Sequence, residues 1–151
     1  MNTNNNACSD RHIFQSSKKE LLAIIANHLN PNVSILLYGP MGAGKTHFTS
    51  QLCQALGVKN AVSSPTYTLT NEYICPYFNI LHSDLYRVEK VDDFLLEEIF
   101  HINKVSIIEW AQRLEFHTKN MQNYIKIYFD HFKNKTVKIA TDMQLDKAYK
   151  F

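Results

Sequence analysis

Eight consecutive residues, Gly39-Pro40-Met41-Gly42-Ala43-Gly44-Lys45-Thr46, match the spacing G-x-x-x-x-G-K-[ST] and carry a specific chemistry. Such a stretch binds phosphate because backbone N–H groups, free of a Cβ at the glycines, converge on an anion as a concave nest. The helix that follows contributes its own unpaired N–H groups and the positive end of its dipole. Lys45 is placed to reach the β- and γ-phosphates as a point charge, and the hydroxyl of Thr46 to ligate Mg²⁺. Gly39, Met41, Gly42, Ala43, Gly44 and His47 complete the set expected around the phosphates. Three of the chain's four glycines fall inside these eight residues. The alternative is a glycine-rich turn that binds nothing, and the flanking segments count against it.

Two carboxylates could complete such a site. Glu109 ends the apolar run Val105-Ser106-Ile107-Ile108, and an acidic residue at the end of a buried neighbouring strand helps hold Mg²⁺ in P-loop nucleotidases. A strand-end carboxylate that is merely exposed is the alternative. In His82-Ser83-Asp84 an extended chain puts His82 and Asp84 on one face. Asp84 suits a water-positioning or Mg²⁺-shell role, or else a cap for the turn at Leu85-Tyr86-Arg87. No third ligand lies close in sequence to the His-x-Asp pair, which disfavours a transition-metal site. Thr66, following Ser64-Pro65, is either a switch hydroxyl or part of an ordinary turn; Pro65 stiffens the loop by fixing its own φ.

The elements that must position these groups are legible. Ser34 to Tyr38 is an apolar run of strand length leading into the loop, and His47 to Leu56 has helical character ending at Gly57. Ahead of them, Ser17 and Glu20 form a capping-box pattern, with Leu21, Leu22, Ile25, Ala26 and Leu29 at helical spacing until Asn30-Pro31-Asn32. The alternation from Tyr67 to Tyr73 and the extended run Tyr77 to Ser83, broken near Pro76, predict a hairpin. Asp92 to Phe100 reads as a helix, Val105 to Glu109 as a buried strand, and Tyr124 to Phe129 and Thr136 to Thr141 as a closing hairpin.

Composition sets the outer bounds. A chain of 151 residues with 45% hydrophobic content fits one domain with a proper core. Expected bounds are a flexible end at 1–12, a single nucleotide-binding domain at 13–142 and a tail at 143–151. The net charge of +2 singles out neither nucleic acid nor an acidic substrate as partner, although residues 117–151 hold seven Lys against three Asp. That basic end reads first as a solvated face. Cys8, Cys53 and Cys75 are odd in number and widely spaced, which suggests neither a disulfide framework nor a zinc site. No apolar run approaches the roughly 20 residues needed to span a bilayer, so a cytoplasmic, soluble protein with no membrane association is expected. The guanine motif N-K-x-D is not matched at Asn103-Lys104 or Asn134-Lys135, which makes adenine the better base. The protein-kinase pattern H-R-D-x-x-x-x-N is missing too.

Four blocks together resemble the TsaE family of small bacterial P-loop ATPases: Gly39 to Thr46, Ser64-Pro65-Thr66-Tyr67-Thr68-Leu69, His82-Ser83-Asp84-Leu85-Tyr86-Arg87 and Ile108-Glu109-Trp110. They stand in the family's order, and the likeness runs from about Phe14 to Thr141. The resemblance implies a three-layer α/β/α P-loop nucleoside triphosphatase fold around a mixed, mostly parallel sheet. It implies Mg²⁺-dependent ATP hydrolysis that supports a TsaB–TsaD-like complex in forming threonylcarbamoyladenosine beside the anticodon, with tRNA engaged indirectly. Lys45 and the loop amides would hold the phosphates, Thr46 and Glu109 would hold Mg²⁺, and Asp84 would act near the γ-phosphate or its attacking water. Thr66 would lie in a switch-like loop, Trp110 beside the metal carboxylate, Lys133 in the turn before the last strand, and Gln15 near the base.

The loop departs from the family's usual Gly-Asp-Leu-Gly-Ala-Gly-Lys-Thr-Thr at Pro40, Met41 and His47. Pro40 lacks a carboxylate and an N–H. His47 replaces a hydroxyl that could bond the α-phosphate, which bears on the tightness of nucleotide binding. Arg87 and Arg113 are the nearest candidates for an arginine finger, although each also suits a surface or ion-pair role. Slow hydrolysis by the chain alone is therefore expected. Two further readings stay open: an ATP-gated binding module in which occupancy matters, and a small-metabolite kinase.

Overall fold

The computed structural model describes residues 10–65, 68–130 and 136–145. Seven strands form one sheet in the order β1-β7-β6-β2-β5-β4-β3. Their ranges are β1 His12–Ser17, β2 Ser34–Tyr38, β3 Thr70–Ile74, β4 Asn79–Asp84, β5 Lys104–Glu109, β6 Tyr124–Tyr128 and β7 Thr136–Thr141. Three α-helices, α1 Lys18–His28, α2 Lys45–Ala55 and α3 Asp93–Ile99, and a 3₁₀ helix at Ala111–His117 complete the described elements. Strands β2, β4, β5 and β6 run parallel; β7 is antiparallel to β6, and β1 to β7, so β1 runs with the parallel group. β3 pairs with β4 in the opposite sense. The sheet is thus mixed and mostly parallel in strand direction.

The apolar pattern explains the layering. Four of the five residues of β2 are buried, as befits a strand covered on both faces. Ile35 and Leu37 face a core shared with α1 and α2 through Leu21, Ile25, Phe48 and Leu52. Leu36 and Ile108 face a second core with Leu95 and Ile99 of α3 and Ala111 and Leu114 of the 3₁₀ helix. Each such side chain removed from water contributes about 1.5–3 kcal/mol, which fixes both helical layers against the sheet. This is the three-layer α/β/α arrangement that the family resemblance implied.

Local signals behave as read. The Ser17 side chain caps α1 by accepting the Glu20 N–H at 3.1 Å, and Asp92 caps α3 by accepting the Leu95 N–H at 2.9 Å. Helix α2 ends in a Schellman arrangement, Gly57 N–H to Gln54 O and Val58 N–H to Cys53 O. β3 with β4, and β6 with β7, form the two antiparallel pairs expected. Two elements carry no clear sequence signal. Strand β1 is a mostly polar edge whose pairing is supplied by β7, and the 3₁₀ helix follows Trp110, its N-cap, which adopts a left-handed φ of 57°. Among the described residues, no helix is long and apolar enough to cross a membrane.

Register decides where the chemistry meets. Leu37, two residues before the glycine loop that starts at Gly39, sits opposite Glu109, and Asp84 sits opposite Glu109 on its other side. The carboxyl ends of β2, β5 and β4 therefore deliver the loop and two carboxylates to one crevice, the usual place for a ligand in an open α/β sheet.

Candidate functional site

The loop between β2 and α2 is shaped by its glycines. Gly39 has a φ of 146°, and a Cβ there would stand 2.5 Å from the carbonyl oxygen of Phe129, so only glycine lets the loop pass the end of β6. Gly44 forms the N-cap of α2 at φ 101°, and no side chain caps that helix end. Its first turn is left to a ligand or solvent, as an anion site requires. Ala43 is buried, and its N–H donates to Pro40 O at 3.2 Å, which closes the turn.

Lys45 is folded inward. Its Nζ donates to the carbonyls of Gly39 at 2.6 Å and Pro40 at 2.8 Å, and it stands 4.5 Å from the centre of the Trp110 ring. Burial lowers its pKa from the usual lysine value, and the negative charges of Glu109 and Asp84 act in the opposite sense. The ammonium is thus held by neutral carbonyls and a ring face, contacts that an incoming phosphate can replace with stronger charge-assisted bonds.

Glu109 is 1% exposed, so the alternative of a merely exposed strand end does not apply. Its Oε2 lies 3.6 Å from Nε2 of the fully buried His82, while Oε1 has no hydrogen-bond partner among the described residues. His82 in turn approaches the Tyr73 hydroxyl through Nδ1 at 3.4 Å. The Tyr73 hydroxyl and the Asn71 amide both donate to the carbonyl of Ser63. Asp84 accepts from the Ser64 hydroxyl at 2.7 Å and from the Tyr86 N–H at 2.9 Å. It therefore does cap the turn that follows β4, while remaining on the wall of the crevice.

One cavity of about 350 Å³ gathers Met41, Gly42, Gly44, Lys45, Thr46, His47, Asp84 and Glu109, together with Ser64, Tyr86 and Trp110. A second, of about 530 Å³, shares Met41, Ser64, Asp84 and Tyr86 with it and extends to Arg87. Gln15 lies apart from both, in a cavity of about 380 Å³ with Tyr128, Phe129, Asp130 and Lys138. Gly39 and Ala43 shape the loop without lining the main cavity. Thr66 and Lys133 lie outside the described residues. Arg113 donates to the Tyr86 carbonyl at 3.2 Å.

Sequence reasoning passed over Ser64 and Tyr86 as site residues. Their signal was present in the Ser-Pro-Thr block and the run after Asp84, but only the pairing of β3 with β4 brings the two segments together. Strand alternation alone sets His82 on the face of Asp84; the structure turns it to Glu109 instead, across the β4–β5 register.

Comparison with known proteins places this arrangement. The family model for the threonylcarbamoyl adenosine biosynthesis protein TsaE matches residues 14–139. The tRNA threonylcarbamoyladenosine biosynthesis protein TsaE of Bacillus subtilis strain 168 is 35% identical over 106 residues, spanning 70% of this chain and 67% of that protein. The protein of the same name from Rickettsia typhi is 36% identical over 107 residues, 67% and 74% of the respective lengths. The crystal structure of Bacillus subtilis YdiB superposes with a TM-score of 0.59 at 25% identity, covering 85% of this chain and 82% of that one. Because the matched span takes in the glycine loop, Asp84, Glu109 and the strands that carry them, the chain belongs to the TsaE family.

Proposed function

We propose that this protein is a Mg²⁺-dependent ATPase that supports a TsaB–TsaD-like complex in forming threonylcarbamoyladenosine beside the anticodon of tRNA. The observation that carries the reading is the cavity in which Lys45, Thr46, Asp84 and Glu109 converge at the carboxyl ends of three strands.

The donor set fits Mg²⁺. Glu109 offers a buried carboxylate whose Oε1 lacks a partner among the described residues, and Thr46 offers a hydroxyl on the same wall, both hard oxygen ligands. When bound, Mg²⁺ supplies neutralisation of charge on the β- and γ-phosphate oxygens. Lys45 exchanges its loop carbonyls for phosphate oxygens. Asp84, held by Ser64 and Tyr86, keeps acceptor capacity to align a water for in-line attack on the γ-phosphorus. The water oxygen bonds to phosphorus as the bond to the bridging oxygen breaks, giving ADP and inorganic phosphate. The base lies toward Gln15 in this reading. Among the described residues, no arginine lines the cavity that holds Lys45, and Arg87 lines the adjoining one, an arrangement consistent with slow turnover alone and completion of the site by a partner.

A second reading, in which occupancy by ATP is the signal, draws on the use of both Asp84 oxygens in local structure. The deciding experiment measures ATP hydrolysis with and without the TsaB–TsaD pair, with Lys45→Ala as control. Hydrolysis that rises with the partners and collapses in the variant supports the first reading. Modification at full rate by Glu109→Ala and Asp84→Ala variants that still bind ATP supports the second. Formation of ADP without any added acceptor excludes a small-metabolite kinase.

A further inference from the structure

Lys18 is the first residue of α1, and its ammonium lies 3.6 Å from the point at which a Cβ on Gly44 would stand. It also stands 5.5 Å from the centre of the Phe129 ring. Among the described residues no carboxylate pairs with it. The ring face of Phe129 attracts a cation there, while two helix termini oppose it. The N-terminus of α1 carries the positive end of its dipole, and Gly44 caps the positive end of α2. Lys18 meets both, beside a loop that already holds Lys45. A polyanion relieves such a concentration of positive charge.

The order of the sheet indicates which part of the anion is concerned. Glu109 and Asp84 stand on β5 and β4, on one side of β2, and Lys45 leans that way over Trp110. Lys18 approaches the loop from the other side, from the end of β1 and past Phe129, which follows β6. Phe129, whose ring Lys18 overlies, also lines the cavity of Gln15 and Asp130. In the reading proposed above, a nucleotide with its terminal phosphate at the carboxylates and its base toward Gln15 would run past Phe129 and so past Lys18.

We propose that Lys18 is a second cation of the nucleotide site, bound to the phosphate nearest the ribose, while Lys45 serves the terminal phosphates. The proposal rests on the reading of the loop as a nucleotide site, and it makes two predictions that this reading alone does not. Lys18 contributes equally to ATP and ADP, since both carry that phosphate. Its contribution also follows charge and is screened by salt.

The test is calorimetric titration of the full chain with ATP and with ADP at several salt concentrations, for the wild type, Lys18→Met, Lys18→Gln, Lys18→Arg and Lys45→Ala. Both neutral variants keep an apolar stem over Phe129, and thermal unfolding without nucleotide checks that they fold. The expected result is a loss of about five- to fiftyfold for both nucleotides in the neutral variants, most of it restored in Lys18→Arg, with a shallower salt dependence. Wild-type affinity in the neutral variants overturns the proposal while leaving the nucleotide site intact, provided Lys45→Ala still loses binding. A loss confined to ATP places Lys18 at the terminal phosphate and overturns the assignment. If the wild type binds neither nucleotide, the nucleotide reading fails and the proposal falls with it.

Discussion

Nε2 of His82 lies 3.6 Å from Oε2 of Glu109, with both side chains shut away from solvent between β4 and β5. On the other side of the ring, Nδ1 meets the hydroxyl of Tyr73, which holds the Ser63 carbonyl. A fully buried side chain is costly to remove because its loss leaves a cavity, and here the Tyr73 hydroxyl also loses its contact with Nδ1. His82→Ala is expected to cost about 2–4 kcal/mol, read as a fall of about 5–12 °C in the thermal midpoint. The same variant should need more Mg²⁺ for half-maximal hydrolysis, since Glu109 loses the ring beside it. A midpoint within a degree of the wild type would show that the contact holds nothing in place.

Asp84 combines a turn cap with a charge on the wall of the cavity, and a substitution that preserves shape separates the two. Asp84→Asn can still accept the Tyr86 N–H, so stability should stay within about 1 kcal/mol of the wild type. Hydrolysis should fall at least about tenfold, as expected when a group aligning the attacking water is lost. Denaturant unfolding and steady-state ATP hydrolysis measured on the same preparation check both halves. Unchanged hydrolysis would assign Asp84 to the turn alone.

Trp110 is the chain's single tryptophan, and its ring faces Lys45 Nζ at 4.5 Å while its centre lies 4.9 Å from that of Tyr86. Withdrawal of the ammonium toward a phosphate changes the field on the indole, so ATP should alter the intrinsic fluorescence. Lys45→Ala should weaken ATP binding by about ten- to a hundredfold and shift the fluorescence of the free protein as well. A titration in which ATP binds without any change at Trp110 would mean that Lys45 stays on the ring.

The thiol of Cys53 is pushed up to about 12 from 9.0, first by burial and then by neighbouring Cys75. Its folded value lies above its unfolded one. Its contribution to stability is therefore complete below about pH 9 and is lost as pH rises toward 12, because only the unfolded chain releases the proton in that window. Denaturant unfolding between pH 8 and 10.5 should show a shallower alkaline decline in Cys53→Ala than in the wild type. Alkylation of Cys53 at pH 8 should run at least about a hundredfold slower in the folded chain than in denaturant, with Cys8→Ser in the background to remove that thiol. Equal rates would show that the core around α2 opens readily.

The sequence by itself determined the glycine loop between a strand and a helix, the two carboxylates at strand ends and most element types, because those signals are local. Glycine at fixed spacing, a capping serine before α1 and apolar periodicity each act within a few residues. It marked Glu109 as a strand-end carboxylate, but not its burial beside His82. Only the tertiary structure decided that β5 and β4 flank β2 in a register that sets Glu109 against Leu37 and Asp84 against Glu109. The same holds for β1, a polar edge that pairing with β7 makes a strand, and for His82, whose partner is chosen by the neighbouring strand rather than by the residue two positions on. Lys18 is the plainest case. In sequence it is a lysine in the first turn of a helix, and only the packing of α1 against the glycine loop carries its ammonium to Gly44 and the Phe129 ring. Long-range pairing leaves no local trace in residue types, since any of several strand orders would bury the same apolar faces.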